Sequence, residues 1–388
     1  MGSGTAWLPD AARMRAYDLS AGGWQLMLHG TAFLQYVKQF GTRGQEYVGS
    51  TNWVMAVANR PLGGGLFRLR GMFSAEPLTA RDYPQLLQAA QHDVSDSRPD
   101  RQHPHELIGE LAVQYGRALT RSVAAEVYVA AAGEPAIGPV TYLHRPSAAH
   151  DPAAPLGHHA QDVTHTTFGV VTVGVFTRAA KLEGSIFNGK HPDDVHTNLE
   201  FSDARLDSYA GRLTLNPSRS WNVAASAAYI AAGNDPAHGG GSPHASLHRI
   251  SASLLHTRPL AGGGEWSNAL VYGANLPKGA DKALHSVLLE SSADLDGRNA
   301  LFGRAEYVRR TAAELTLIGS VSPELSVWAV SLGYAREVGD IGALKVSLGA
   351  RVTANVIPEE LQPFYGSRTP LGLFTYFRVR PAVHAPGR

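Results

Sequence analysis

The sequence predicts an all-β protein that forms a transmembrane, antiparallel, up-and-down β-barrel of about sixteen strands. Three observations predict it: apolar and polar side chains alternate, the alternation recurs along most of the chain, and the connections between alternating stretches are short and long in turn. The clearest alternation lies in residues 342–352, whose apolar face carries Leu344, Val346, Leu348, Ala350 and Val352. Lys345, Ser347, Gly349 and Arg351 lie between them, as expected for a strand with unlike faces.

The other predicted strands repeat this pattern. The first runs from Trp24 to Tyr36 and has an aromatic residue at each end of its apolar face, as at the two edges of a lipid layer. Thirteen of the others are predicted near residues 48–59, 66–74, 107–117, 122–131, 164–177, 180–188, 221–229, 266–275, 283–293, 300–310, 328–334, 342–352 and 371–380. Two more strands are predicted by their ends alone, one at residue 216 and one at residue 256.

The connections support a barrel over a soluble sandwich. Short turns such as residues 60–65 and 216–219 alternate with long segments such as residues 75–106 and 132–163. In a transmembrane barrel the short turns face the periplasm and the long loops face outward. An even strand count then places both termini at the periplasmic rim. We expect an irregular lead-in over residues 1–22, one barrel domain over 23–380 and a tail over 381–388.

Composition narrows the alternatives. The chain has 388 residues, of which 17% are charged, and no run of eighteen apolar residues that could form a spanning helix. A net charge of +1 gives no reason to expect nucleic acid, and the absence of cysteine excludes disulfides and thiolate metal sites. Residues 1–4 do not resemble a signal peptide, and we expect that one has been removed from a protein of the bacterial outer membrane.

The polar faces of the predicted strands carry many charges, which would be costly in lipid and are expected to line the lumen. By this assignment ten cations and five anions line the pore: Arg68, Arg70, Glu110, Glu126, Lys181, Glu183, Arg212, Arg249, Glu290, Arg304, Glu306, Lys345, Arg351, Arg378 and Arg380. The excess of cations favours anionic or neutral solutes. The alternative is that paired wall charges brace the barrel mechanically.

In its strand number, alternation and loop pattern the chain resembles the outer-membrane porins of Gram-negative bacteria. The resemblance implies a water-filled channel for passive passage of small polar or anionic solutes, without enzymatic activity. It also implies that the third outward loop, 132–163, folds inward and narrows the pore. Partners would be outer-membrane lipid, the solutes, and further copies of the chain or a partner protein. Unlike many porins, the chain continues for eleven residues beyond Phe377.

Histidine is abundant, with 17 residues in the chain, and many lie in the long outward loops. Imidazole suits zinc and copper, so the loops supply candidate metal ligands: His103, His105, His158, His159 and His165. A second hypothesis is therefore a non-conducting barrel whose His-rich rim binds a metal or a partner. The competing interpretation is that these residues join the long loops by hydrogen bonds. Apart from such a metal, we expect no cofactor.

A third hypothesis is an outer-membrane acyl hydrolase, which would need a paired Ser and His. The chain has no Gly-x-Ser-x-Gly motif. His285 and Ser286 are adjacent, but neighbours on a strand point to opposite faces and so cannot form a catalytic pair.

Overall fold

A computed structural model of the protein describes residues 2–80, 82–89, 100–162, 166–190, 192, 195–201, 205–231, 246–317 and 321–382. The chain forms a closed barrel of sixteen antiparallel strands, each paired with the next in sequence, which confirms the predicted fold class. The strands are β1 (Trp24–Gln39), β2 (Glu46–Leu62), β3 (Gly65–Phe73), β4 (Ile108–Ala118), β5 (Ala124–Gly133), β6 (Thr167–Phe176), β7 (Ala180–Phe187), β8 (Ser208–Ser218), β9 (Trp221–Ile230), β10 (Leu247–Pro259), β11 (Glu265–Pro277), β12 (Leu284–Asp294), β13 (Asn299–Thr311), β14 (Glu324–Ile341), β15 (Leu344–Val356) and β16 (Leu371–Pro381).

The last strand closes the barrel against the first. Residues Gly372 to Val379 of β16 pair with Gln39 to Ala32 of β1. A short strand segment, Ala16–Ala21, pairs with the beginning of β1 on the same edge. The segment therefore continues the line of β16. Residues 16–21 and β16 together occupy the strand position next to β1. Pairing around the whole circle satisfies the backbone groups that an open sheet would expose at its edges.

One rim carries short turns and the other carries longer loops. The short-turn rim contains residues 63–64, 119–123, 177–179, 219–220, 260–264, 295–298 and 342–343. The long-loop rim includes two long connections. Residues 74–80, 82–89 and 100–107 are the described part of the first loop, and residues 134–162 and 166 are the described part of the second loop, which was predicted as the third outward loop. Glycines in the left-handed region form several short turns, among them Gly63 and Gly64, because only glycine adopts this conformation without strain.

The two faces of the wall differ as the alternation predicts. Leu332 and Leu289 on the outer face are 69% and 54% exposed, whereas Ser331 and Glu290 on the inner face are 6% and 1% exposed. Val346 departs from the pattern, since it is buried next to a register shift at Glu337 and Gly339 of β14. A bulge at that position turns the strand locally and changes the surroundings of its neighbours.

Three segments pack against the inner face: residues 2–15, the first loop and the second loop. The loops contain the short helices α1 (Glu76–Thr79) and α2 (His158–Gln161), a strand pair formed by Tyr83–Pro84 and Arg101–Gln102, and 3₁₀ turns at Tyr142–His144 and Pro146–Ala148. A further 3₁₀ turn, Glu359–Leu361, precedes α3 (Gln362–Tyr365). Within the residues that the structure describes, no helix is long and apolar enough to span a membrane.

Candidate functional site: the barrel lumen

The fifteen charged residues predicted to line the lumen are buried, except for Arg68, Glu126 and Lys345, which are partly exposed. Ten of them form ion pairs with other residues of the barrel strands. Arg70 lies 3.0 Å from Glu110, and Arg212 lies 3.0 Å from Glu183. Lys181 contacts Glu126 and Glu183, Lys345 contacts Asp340, Arg304 contacts Glu290, and Arg380 contacts Glu337. This pairing offsets the cost of removing the charges from water and joins the strands to one another.

Three cations on the inner face bond neutral groups. The guanidinium group of Arg68 donates to Asn59 at 2.7 Å and to Gln114 at 3.0 Å. Arg249 donates to the side chain of Asn275 and to a second-loop carbonyl, while Arg378 donates to the carbonyl of Ala149. Because amides and carbonyls hold these groups without neutralising them, each keeps its positive charge.

The second loop lies inside the barrel. Arg145, which is 1% exposed, donates to Glu290 of β12 at 2.9 Å and to Asp162 at 3.4 Å. Ser147 also donates to Glu290, at 2.7 Å. On either side of these residues in the loop, the backbone amides of Gly138 and Leu156 donate to the wall residues Ser226 and Glu306. The loop is therefore attached to several strands of the inner wall.

Asp151 places a loop carboxylate between two wall cations. Its Oδ2 atom lies 3.3 Å from Arg304 and 3.2 Å from Arg351. Both arginines were predicted from the sequence to line the lumen, whereas Asp151 and Arg145 were not predicted as their loop counterparts. No local motif marks these two residues, since only the fold brings them to the wall.

Residues 2–15 also lie against the inner wall. The hydroxyl of Thr5 accepts a hydrogen bond from Arg212 at 3.0 Å, and its carbonyl accepts one from Lys181. Ala6 and Leu8 are buried in a cluster with Val140, Leu255, Ala269, Val271 and Leu288. Sequence alternation gave no reason to place this segment inside the barrel.

Glu134, at the start of the second loop, contacts the same segment. It is buried and lies 4.0 Å from Arg212, and an added Cβ on Gly4 would come within 2.8 Å of its side chain. Burial raises the pKa of Glu134 to about 8, and the charge of Arg212 and a hydrogen bond from Ser3 offset only part of that effect. Burial thus favours the neutral form of its carboxyl group.

The structure brings four of the five predicted histidine ligands together beside the two loops, while His165 lies outside the described residues. The ring of His103 lies 6.5 Å from that of His158, 6.2 Å from His159 and 6.0 Å from His196, measured between centroids. His105 lies nearby and contacts Tyr142. His196 also belongs to this group, although it was not among the ligands predicted from the sequence.

Carboxylates bind the Nδ1 atoms of three of these rings. His105 pairs with Glu76 at 2.7 Å, His158 with Asp162 at 2.5 Å, and His196 with Glu106 at 2.6 Å. Burial opposes the charged form of His105, but the charge of Glu76 and its hydrogen bond raise the pKa of the ring overall. Within the described ranges, no three His, Asp or Glu side chains form a group that could hold a metal ion. The contacts in this cluster connect α1, the first loop, the second loop and residue 196.

His285 and Ser286 point to opposite sides of β12. Ser286 is fully buried on the inner face and donates to the carbonyl of Gly273, while His285 bonds the hydroxyl of Tyr272 at 2.8 Å. The adjacent pair therefore does not form a Ser–His dyad.

No protein-family model and no curated protein matches the sequence. Solved structures do match. The barrel is similar to OmpF of Salmonella typhi in complex with daunomycin, with a TM-score of 0.55 and 10% identity over 93% of this chain and 100% of that one. It is also similar to Pseudomonas putida OprB, with a TM-score of 0.54 and 10% identity over 92% and 94% of the two chains. A further similar structure is OmpT, an outer membrane protein of Vibrio cholerae, with a TM-score of 0.51 and 8% identity over 94% of this chain and 99% of that one.

At these identities the likeness is one of fold. It covers nearly the entire chain and agrees with the closed strand pairing and the two unlike faces of the wall. The chain therefore has the sixteen-stranded barrel fold of outer-membrane porins.

Proposed function

We propose that the protein is an outer-membrane channel for passive passage of small polar or anionic solutes, and that the second loop narrows its lumen. The observation that carries this proposal is the closed barrel with an apolar outer face and an inner face of charged and polar side chains. The contacts of Arg145 and Asp151 with the wall support a constricting role for the second loop.

The anionic preference rests on the cations that neutral groups hold, above all Arg68. It is partly exposed on the inner face of β3, near the short-turn rim. Its bonds to Asn59 and Gln114 fix the guanidinium group without cancelling its charge. A fixed positive charge at a pore wall attracts anions and repels cations.

The test is single-channel recording in planar bilayers under a KCl gradient. Stepwise conductance, with a reversal potential displaced from zero toward the equilibrium potential of chloride, supports the proposal. Arg68→Gln should move the reversal potential toward the cation side. Arg258→Gln is the matched control, because Arg258 is exposed on the outer face against Trp266 and its replacement should leave selectivity unchanged. A potential on the potassium side in the unaltered protein would contradict the anionic preference.

A second candidate, a closed barrel, is favoured by one specific observation: residues 2–15 and both loops pack inside the lumen. In that case the protein would act through its loops and not as a pore. The same recordings discriminate, because a closed barrel gives no conductance steps when residues 2–15 are present and begins to conduct when they are removed.

A further inference from the structure

We propose that the inner face of β1–β3 holds a binding site for a soft monovalent metal ion, Cu(I), formed by His29, Met55 and Met72 and completed by His144. The site is separate from the histidine cluster of His103, His105, His158, His159 and His196. It was not predicted from the sequence, because its residues lie on three different strands and one loop.

Strand register places the first three residues in one row. Met55 pairs directly with His29 of β1 on one side and with Met72 of β3 on the other. Residues that lie opposite one another on neighbouring antiparallel strands have Cβ atoms about 5 Å apart. Met55 and Met72 therefore place two thioethers opposite one another on β2 and β3, and His29 places an imidazole opposite Met55 on β1. Met27, two residues before His29, points to the same face.

Methionine is concentrated here. The chain has only five methionines, and Met27, Met55 and Met72 belong to one cluster with Trp53 and Leu143. Met55 and Met72 are 2% and 7% exposed. Thioether sulfur is a soft ligand that favours Cu(I), and imidazole is compatible with it, whereas hard cations prefer oxygen.

The second loop brings an additional imidazole to the row. The ring centroid of His144 lies 5.4 Å from that of His29 and 4.6 Å from the indole of Trp53, which itself lies 5.2 Å from His29. Trp53 also packs against the cluster that contains Met55 and Met72. Trp53 would shield a bound ion from water and present a π face to its charge.

An unsatisfied polar atom points to a ligand. His29 is 8% exposed, and its Nε2 atom is buried without a hydrogen-bond partner among the described residues. A buried polar atom of this kind costs free energy unless something binds it. A coordinated metal ion would satisfy the Nε2 atom of His29. The neighbouring cation, Arg70, is already paired with Glu110 at 3.0 Å.

The structure also leaves room beside the row. A cavity of about 20 Å³ touches one end of the row, at Met72 and His144, and polar residues that include His105, Glu106, Glu110 and Glu134 form much of the rest of its lining, which does not include His29 or Met55. Its volume is enough for a single water-sized occupant.

The experiment is an anaerobic titration of the full-length protein in detergent with Cu(I), in competition with a coloured Cu(I) chelator, and with Ag(I) as a second probe. We expect one ion per chain and sulfur ligands in the X-ray absorption spectrum. The double variant M55L/M72L keeps side-chain volume, which such replacements usually tolerate. Since loss of a group that merely orients a ligand already costs about tenfold to 100-fold in affinity, loss of both sulfurs should weaken binding by at least about tenfold.

Two further variants make the result specific. M14L makes the same replacement outside the row and should bind Cu(I) as the unaltered protein does. His29→Phe keeps a ring beside Trp53 but removes the buried nitrogen, so it should lose affinity while its metal-free thermal stability is maintained or increased. Absence of competition with the chelator, or equal affinity in M55L/M72L, would show that the row is only hydrophobic packing and would overturn the proposal.

Discussion

The guanidinium group of Arg145 in the second loop donates to the carboxylate of Glu290 on β12 at 2.9 Å, and both side chains are almost completely buried. This contact connects a loop to the opposite side of its own barrel, 145 residues later in the chain. Glu290 also pairs with Arg304 at 2.6 Å, so one wall carboxylate holds a loop cation and a wall cation together. The position of the loop thus depends on a buried charge network.

Replacing Arg145 with Ala should release the loop from the wall. Removing one partner of a buried ion pair typically costs about 3–5 kcal/mol, because the other charge is left without compensation. We expect a lower free energy of unfolding and a larger, noisier single-channel conductance. The matched control is Arg258→Ala on the outer face. If both variants conduct like the unaltered protein, Arg145 does not position the loop in the pore.

Deleting residues 2–15 should increase the conductance of the channel. The segment is held by contacts of Thr5 with Lys181 and Arg212 and by the burial of Ala6 and Leu8. Its removal leaves that part of the inner wall open to water. Single-channel recording measures the change, and deletion of residues 383–388 serves as the control at the other end of the chain. Equal conductance in all three proteins would mean that the segment does not obstruct the passage.

Glu134 should make stability depend on pH. Its pKa rises from the ordinary 4.5 to about 8 in the folded protein. The stability that this group contributes is therefore fully present below pH 4.5 and is lost as the pH rises through 8, because a buried charge then forms. We expect the melting temperature to fall between pH 5 and pH 8, and Glu134→Gln to reduce that fall. If the melting temperature of Glu134→Gln depends on pH as that of the unaltered protein does, other groups cause the fall.

The lipid-facing side can be tested with single cysteines, since the chain has none of its own. Leu332 and Ser331 are neighbours on β14 and are 69% and 6% exposed, respectively. A nitroxide at Leu332→Cys should be accessible to oxygen dissolved in lipid, whereas one at Ser331→Cys should not. The reverse result would place lipid on the other side of the wall. Separately, Leu332→Arg should cost about 2–4 kcal/mol if this position lies near the bilayer midplane.

The sequence by itself determined the barrel. Alternation such as that of residues 342–352 is a local property, because successive side chains on any strand point to opposite sides. A chain of such strands with apolar outer positions has few solutions other than closure in a lipid layer. Strand order also followed directly from the sequence, since each strand pairs with the next one along the chain.

Only the tertiary structure decided what lies inside the barrel. The contacts of Arg145 with Glu290, of Thr5 with Arg212, and of Met55 with His29 and Met72 join residues that no local pattern relates. Loops and the N-terminal segment have no fixed periodicity, so their positions depend on which buried charges and apolar groups they can satisfy on a wall that must first be closed. The alternating pattern records which side of a strand meets lipid, but it contains no information about which segment meets the other side.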